Sequence, residues 1–296
     1  MSHAGFPATA GTSRAVLVTG CSSGIGRATA LRLARRGWPV YATARKRDSL
    51  GELEEAGCRT LVLDVDDEES CRSAVAFVEE REGAVGVLVN NAGYSQSGAV
   101  EAVPLDLVRK QFETNVFGAL RMCQLVLPGM RRQGWGKIVN MSSMGGKLVF
   151  PGGGVYHATK HALEALSDAL RFEVRAFGID VILMEPGLVR SGFARAAERA
   201  LEAARAGAGP YADFHAAVAR ATVEAYEKGP LARLGGTPED VAAKVEKAIT
   251  ARRPKARYTV TASATVLLGL RRMLGDRMWD AFLRTNFPEP GGRKSS

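Results

Sequence analysis

Short apolar runs alternate with longer segments of helical period through the first two thirds of the chain. The runs have the length of strands, and the segments between them repeat apolar residues every three or four positions. The predicted strands are 15–19, 40–44, 61–65, 85–90, 137–141 and 180–185, and the predicted helices are 25–36, 68–82, 106–132 and 155–177. This alternation predicts an α/β fold, a Rossmann-type doubly wound parallel sheet of six or seven strands with helices on both faces.

The 296 residues predict one domain over 14–296, after a flexible tail over 1–13 that lacks the apolar stretch of a signal peptide. After Gly187 the pattern becomes helical, and Thr237 followed by Pro238 has the form of a helix start. We expect 188–236 to form a lid over the substrate, with 194–208 as one of its helices. Amphipathic helices are expected over 258–287, with a break at Gly275.

One apolar stripe marks this last region. Its members are Leu267, Leu270, Leu274, Met278 and Phe282. Basic residues lie between them, so the stripe fits an anionic membrane surface as a peripheral contact. Docking on the protein's own domain or on a partner subunit is the favoured interpretation.

The balance of 40 Lys and Arg against 31 Asp and Glu gives a net charge of +9, which favours an anionic partner such as a phosphorylated cofactor. The chain contains no nucleic-acid-binding signature, so no nucleic acid is expected. Its four cysteines and four histidines show no metal-ligand spacing, so we expect reduced thiols, no metal and a soluble, cytoplasmic protein. No apolar run is long enough to cross a bilayer.

A glycine-rich turn follows the first predicted strand, where a helix N-terminus faces a bound pyrophosphate in dinucleotide-binding folds. Its candidate cofactor-binding residues are Gly20, Ser22, Ser23, Gly24, Ile25 and Gly26. At the end of the second strand, where NAD-selecting sites carry an acid, this chain has Arg45. Because a guanidinium can bind a 2'-phosphate through two donors, the sequence predicts NADP(H) in preference to NAD(H).

A tyrosine and a lysine four residues apart, Tyr156 and Lys160, share one face of the predicted helix 155–177. A lysine at about 4 Å would attract the phenolate by roughly 4 kcal/mol at an effective dielectric of about 20, which lowers the pKa of Tyr156 toward physiological pH. Ser143 ends the preceding strand and can donate to a substrate carbonyl oxygen. These residues predict acid–base chemistry at a carbonyl or alcohol carbon.

The combination resembles the short-chain dehydrogenase/reductase family over about 15–193. The resemblance is carried by Thr19-Gly20 to Gly26, by Asn90-Asn91-Ala92-Gly93, and by Tyr156 with Lys160 thirteen and seventeen residues after Ser143. It implies catalytic roles for Ser143, Tyr156, Lys160 and Asn115, although Asn115 fits a buried structural amide equally well. It further implies cofactor contacts from Asp64, Val65, Asn91, Ala92, Gly93, Tyr156, Lys160, Pro186, Gly187, Val189 and Ser191, and a homo-oligomer.

Within that family the chain looks like the branch of 17β-hydroxysteroid and retinol dehydrogenases, which implies a hydrophobic carbonyl or alcohol substrate. The candidate wall residues of its pocket are Met144, Leu148, Val149, Phe150, Phe193, Tyr211, Phe214 and Tyr226. Each of them also fits plain core packing. Two other functions stay open: a 3-oxoacyl-carrier reductase, and a non-catalytic NADP-binding sensor.

Overall fold

The computed structural model describes residues 11–192, 209–287 and 289–290. The expected tail over 1–13 lies almost wholly outside these ranges, as do the expected helix over 194–208 and the candidate pocket residue Phe193.

Within the described residues, seven parallel strands form one sheet. They are β1 Val16–Val18, β2 Val40–Ala44, β3 Arg59–Val62, β4 Val87–Asn90, β5 Gly136–Met141, β6 Ile179–Pro186 and β7 Arg257–Val260. Their order across the sheet is β3-β2-β1-β4-β5-β6-β7, and every neighbouring pair is parallel. The predicted doubly wound sheet is confirmed. The order in which successive strands are added reverses between β1 and β4. Such folds bind ligands at this point, at the carboxyl ends of the strands.

Helices connect these strands. In the described part of the chain they are α1 Gly24–Arg35, α2 Gly51–Glu55, α3 Glu68–Glu82, α4 Leu105–Phe112, α5 Gly118–Arg132, α6 Gly154–Val174, α7 Ala212–Val223, α8 Pro230–Arg233, α9 Pro238–Thr250, α10 Ala262–Met273 and α11 Asp276–Arg284. A π-helical turn, Glu113–Phe117, joins α4 to α5, so the helix predicted over 106–132 is continuous but locally widened. The predicted cap of α9 is present, since the Thr237 side chain accepts from the backbone N–H of Asp240 at 3.3 Å.

Two apolar layers cover the faces of the sheet. In β1, Val16 and Val18 point to the layer that includes Leu33 of α1 and Val245 of α9, while Leu17 points to the opposite layer. That second layer contains the buried faces of α3 and α5. Because both faces of the sheet are covered, its central strands are continuous apolar runs in the sequence.

One strand prediction and one helix prediction are wrong in position. The strand predicted over 61–65 lies at Arg59–Val62, where it pairs with Tyr41–Ala44 and forms the edge of the sheet. Leu63 and Val65 are buried beyond the end of this strand, so their apolar character comes from packing and not from the sheet. β7 occupies the start of the region predicted as helical over 258–287, and Thr261, with φ of 85°, separates it from α10.

The C-terminal helices dock on the protein's own domain, as the favoured interpretation of their apolar stripe predicts. Leu267 is buried there, and Leu270, Leu274 and Phe282 pack beside it. Met278 is wrongly assigned to the stripe, because its side chain is 61% exposed while the adjacent Trp279 is buried. The break at Gly275 resets the helical phase and turns Trp279 inward.

We call this packing the C-terminal apolar cluster. Its buried members are Met144, Leu148, Leu188, Ala264, Leu267, Leu268 and Trp279, and the partly buried residues packed against it include Phe150, Tyr226, Leu270, Leu274 and Phe282. Among the described helices, none combines the length and the hydropathy that crossing a membrane requires.

Candidate active site

The turn between β1 and α1 is tight enough to exclude side chains at its glycines. Gly20 and Gly24 have φ of 71° and 58°, which favour glycine. At Gly26 an added Cβ would lie 2.4 Å from Asn91 Nδ2 and 2.4 Å from the Gly20 carbonyl oxygen. The predicted glycine motif therefore has a steric reason at each of these positions.

Asn91 and Ala92 brace this turn from the end of β4. Asn91 Nδ2 donates to the carbonyl oxygens of Thr19 and Gly20 at 2.9 and 3.0 Å. The backbone N–H groups of Asn91 and Ala92 both donate to Thr19 Oγ1 at 3.0 Å. Thr19 is thus a structural partner that sequence reasoning quoted in the motif but did not select as a site residue.

The turn fits a dinucleotide pyrophosphate. Helix α1 begins after Ser23, whose side chain forms no capping hydrogen bond, and its first turn contains no acid. The first backbone N–H groups of a helix normally need an acceptor, and a phosphate can supply one. Ser22 and Ser23 are exposed beside them. Ser191 faces the turn, since its Cβ lies 3.9 Å from a Cβ placed on Gly24.

The predicted adenosine-side residues lie at the ends of β2 and β3. Arg45 follows the last residue of β2 and is exposed. Asp64 and Val65 lie in the turn after β3, where Asp64 Oδ1 accepts from the backbone N–H of Asp66 at 3.1 Å. Val65 is buried, and its carbonyl oxygen accepts from Arg121 at 2.5 Å.

Residues after β6 form the opposite wall of the cleft. The backbone N–H of Gly187 donates to the Val260 carbonyl oxygen at 3.0 Å, which ties the Pro186-Gly187 corner to β7. An added Cβ on Gly187 would lie 2.5 Å from Thr261 Oγ1, so this corner also requires glycine. Val189 is buried and pairs with Gly236 in an isolated bridge.

Tyr156, Lys160 and Ser143 come together at the carboxyl end of β5, as predicted. The Tyr156 phenol is hydrogen-bonded to Ser143. Ser143 Oγ also lies 3.5 Å from the Pro186 carbonyl oxygen and accepts from the Gly145 N–H at 3.0 Å. Lys160 is buried on the same helix, with Nζ 5.7 Å from the centroid of the Tyr156 ring.

The predicted fall in the pKa of Tyr156 is wrong for this structure. Burial raises the pKa of Tyr156 to about 12, and the hydrogen bond from Ser143 opposes this rise. The Lys160 Nζ donates to the Met141 carbonyl oxygen at 2.7 Å and lies 5.7 Å from the centroid of the Tyr156 ring, farther than the roughly 4 Å assumed from the sequence. Burial lowers the pKa of Lys160 to about 8. With its pKa raised by burial, the phenol is protonated at neutral pH.

Asn115 lies in the π-helical turn and is buried. Its Oδ1 accepts from the Tyr94 N–H at 3.0 Å, and its Nδ2 donates to the Tyr94 carbonyl oxygen at 2.9 Å and to Thr159 Oγ1 at 3.1 Å. A Cβ placed on Gly93 would lie 3.0 Å from Asn115 Oδ1 and 3.8 Å from Lys160 Nζ. Asn115 thus lies near Lys160, but its side-chain amide is occupied by structural hydrogen bonds.

The predicted pocket residues separate into two groups. Met144, Leu148, Phe150 and Tyr226 belong to the C-terminal apolar cluster. Tyr226 is partly buried, and the neighbouring Tyr156 phenol adds to burial in raising its pKa. Val149 is 45% exposed and does not face this cluster.

Tyr211 and Phe214 instead dock helix α7 onto the segment after β4. They pack with Ala99 and Val218 in a separate apolar cluster. His215 Nε2 accepts from the Ala99 N–H at 2.8 Å, which fixes α7 to this segment. Helix α7 therefore lies next to the loop before α6, where an added Cβ on Gly152 would meet Val218 at 2.6 Å.

The family model for short chain dehydrogenases matches residues 14–202. The chain belongs to the short-chain dehydrogenase family. It is accordingly an oxidoreductase of the class that acts on CH–OH groups with a nicotinamide dinucleotide as the second substrate. The family predicted from the motifs is confirmed.

Similar short-chain dehydrogenases span nearly the whole chain. An uncharacterized oxidoreductase, YbbO, of Escherichia coli is 36% identical over 92% of this chain and 94% of its own length. An NADPH-dependent 3-dehydrocapnine reductase of Ornithobacterium rhinotracheale is 34% identical over 90% of this chain and 95% of its own. Human 17-beta-hydroxysteroid dehydrogenase type 1 is 36% identical over 86% of this chain and 80% of its own.

Solved structures agree with the fold. A short-chain dehydrogenase from Streptomyces avermitilis has a TM-score of 0.71 and 34% identity, covering 92% of this chain and 98% of its own. A short-chain dehydrogenase/reductase from Burkholderia phymatum in complex with NAD has a TM-score of 0.75 and 27% identity, covering 96% of this chain and 100% of its own.

Proposed function

We propose that this protein is an NADP(H)-dependent oxidoreductase that interconverts a ketone or aldehyde and an alcohol on a hydrophobic, steroid-, retinoid- or lipid-like substrate. The observation that carries the proposal is the meeting of Tyr156, Ser143 and Lys160 at the carboxyl end of β5, beside the C-terminal apolar cluster. The cofactor would lie along the braced glycine turn, with Asn91, Gly93 and the Pro186-Gly187 corner lining the cleft.

The protonated phenol of Tyr156 favours the direction of carbonyl reduction. NADPH, when bound, would supply a hydride to the carbonyl carbon. Tyr156 then donates its proton to the carbonyl oxygen, and Ser143 donates a hydrogen bond to the same oxygen as negative charge develops on it. Lys160 would bind the nicotinamide ribose, and its positive charge would stabilise the phenolate left behind.

The choice of NADP(H) rests on Arg45. Its exposed guanidinium directly follows β2 and can bind a 2'-phosphate. NAD-selecting sites carry an acidic residue at this position, which would repel a 2'-phosphate. The Ornithobacterium relative is named as NADPH-dependent, whereas the Burkholderia structure holds NAD, so the position after β2 is the feature on which this preference depends.

The substrate class rests on the lining of the pocket. Met144, Leu148, Phe150 and Tyr226 belong to one apolar cluster, and Tyr226 lies close enough to Tyr156 for the two phenols to interact electrostatically. These side chains would line the substrate pocket. Apolar walls of this kind bind ligands mainly by removing apolar surface from water. The hydroxysteroid and 3-dehydrocapnine relatives are named for bulky, largely apolar substrates, which supports this class.

The test follows NADPH oxidation against a panel of hydrophobic ketones and aldehydes, with NADH and a 3-oxoacyl pantetheine thioester in parallel. Tyr156→Phe should lower turnover at least about a hundredfold, the scale of general acid–base catalysis, while NADPH binding is kept. Tyr211→Phe is the matched control, because it removes only a hydroxyl bonded to Glu101. Unchanged turnover in Tyr156→Phe would reject the catalytic assignment, and thioester turnover alone would identify a carrier reductase.

We also propose a homo-oligomer, from the family resemblance. Light scattering after gel filtration should give a mass at least twice the 31.5 kDa of one chain. A single-chain mass at assay concentration would contradict this.

A further inference from the structure

A group of ion pairs surrounds one buried carboxylate on α6, the helix that carries Tyr156 and Lys160. At its centre is Glu164, one helical turn after Lys160 on α6, with a side chain only 4% exposed. Its Oε2 lies 2.9 Å from Lys147 Nζ and 3.0 Å from Arg257 Nε. Burying a carboxylate is costly unless cations compensate it, and here Lys147 and Arg257 do so.

The ion pairs connect α6 to the loop after Ser143 and to the end of β6. Lys147 belongs to the loop that begins with Ser143, four residues earlier. Arg257, on β7, also contacts Glu185 Oε1 at 3.3 Å and Asp168 Oδ2 at 2.6 Å. Glu185 immediately precedes Pro186, whose carbonyl oxygen lies 3.5 Å from Ser143 Oγ.

Close packing reinforces the ion pairs. A Cβ placed on Gly146 would lie 2.9 Å from Glu164 Cγ and 3.1 Å from the Lys160 carbonyl oxygen. The loop that follows Ser143 therefore rests against the turn of α6 between Lys160 and Glu164. A displaced Glu164 side chain would therefore shift both the loop after Ser143 and the turn of α6 that carries Lys160.

We propose that Glu164 is a positioning residue for the reaction, whose carboxylate keeps the Lys160 ammonium protonated and holds α6 against the loop that carries Ser143. This inference rests on the proposed function, because it gives Glu164 a role only through Lys160 and Ser143.

The charges around Glu164 explain the direction of its effect. Lys147 and Arg257 contact it, Glu185 faces it from β6, and Asp168 follows one turn later on α6 with Arg171 paired to it at 2.6 Å. Burial lowers the pKa of Lys160 to about 8, and the negative charge of Glu164 opposes that fall. Without the carboxylate, Lys160 would keep its burial and the nearby cations and would lose its proton at a lower pH.

The test is the pH dependence of kcat/KM for ketone reduction in Glu164→Gln, together with NADPH affinity over the same range. Tyr156 titrates far above this range, so loss of the proton from Lys160 should set the alkaline decline. We expect its midpoint to move down by at least about half a pH unit in both measurements, allowing for strong screening by the neighbouring charges.

Two further variants make the comparison specific. Asp168→Asn removes another carboxylate bound to Arg257, but two turns from Lys160, so its midpoint should stay that of the wild type. Lys147→Gln removes a cation that is 36% exposed, and it should move the midpoint slightly up. This second variant still tests the proposal if Glu164→Gln fails to fold. Glu164→Asp retains the negative charge, so the midpoint of its alkaline decline should stay close to that of the wild type.

The outcomes separate the two proposals. If the midpoint in Glu164→Gln and Lys147→Gln equals that of the wild type, the positioning role is refuted. An equal shift in Asp168→Asn would also refute it, since that would show a general response to lost ion pairs. If Tyr156→Phe retains turnover, the proposed function itself fails, whatever the pH profiles show.

Discussion

The contact between Gly26 and Asn91 provides a sharp test of the cofactor cleft. In Gly26→Ala the new Cβ would lie 2.4 Å from both Asn91 Nδ2 and the Gly20 carbonyl oxygen, about 1 Å inside normal contact. Either α1 moves away from the turn, or Asn91 gives up its two hydrogen bonds to the Thr19 and Gly20 carbonyl oxygens. Both responses displace the backbone N–H groups that would bind the pyrophosphate.

The expected cost follows from the geometry. Overpacking a close contact costs about 1–3 kcal/mol, and each hydrogen bond lost from Asn91 adds about 0.5–1.5 kcal/mol. We therefore expect the free energy of unfolding to fall by at least about 2 kcal/mol, which lowers the melting temperature by about 4 °C or more in a chain of this size. The dissociation constant for NADPH should rise at least about tenfold.

Gly269→Ala is the matched control. Gly269 lies inside helix α10, and an added Cβ there would meet no atom within 4 Å. Alanine is the better helix former, so this change should raise stability by about 0.5–1 kcal/mol and leave NADPH binding unchanged. Melting curves by calorimetry and NADPH titration by fluorescence give both quantities. A Gly26→Ala protein with wild-type melting temperature and NADPH affinity would refute the description of this turn.

Three further expectations concern the cofactor, acid stability and the C-terminal apolar cluster. Arg45→Ser should raise the KM for NADPH about tenfold or more while that for NADH changes little, because a charge-assisted contact is worth about 1.5–3 kcal/mol; equal effects on both cofactors in steady-state kinetics would argue against a 2'-phosphate contact. Burial lowers the pKa of His157 to about 4, below its unfolded value of 6.5, so its contribution to stability is complete above about pH 6.5 and is lost as the pH falls toward 4. His157→Gln should flatten this part of a stability profile measured by urea unfolding, and an unchanged slope would contradict it. Trp279→Ala should cost about 3–5 kcal/mol and raise the substrate KM, because Trp279 packs 6.1 Å from the ring centroid of Phe150, whereas Met278→Ala on the exposed side should change neither quantity.

The strands that sequence reasoning located well are those buried on both faces. All five residues of β2 and all four of β4 are buried, so burial and strand coincide there. β3 lies at the edge of the sheet, where Val62 is 55% exposed and the buried residues come after the strand. The pattern of apolar residues indicates which residues are buried. In an edge strand such as β3, the buried residues are not the ones that form the hydrogen bonds of the sheet.

The relative positions of the candidate site residues were predictable where they depend on local spacing. Tyr156, Lys160 and the glycine turn are set by spacing along one helix or one loop. The direction of the shift in the pKa of Tyr156 was not predictable, because it is set mainly by how far the folded chain buries the phenol.

Glu164 was missed for a related reason, since its partner Arg257 is 93 residues distant. A weak local signal did exist. Glu164 lies one turn after Lys160 on the same helix face, and a carboxylate on a buried face needs a partner.

The position of β7 has a consequence for how the protein is made. Arg257 is synthesised about seventy residues after β6 ends at Pro186, which at about 5–20 residues per second is a delay of about 4 to 14 s. During that interval β6 is the outer strand of the growing sheet and Glu185 has no cation from β7. The nascent chain therefore offers an open sheet edge to chaperones or to other nascent chains, and we expect enzymatic competence to be the last property that it acquires.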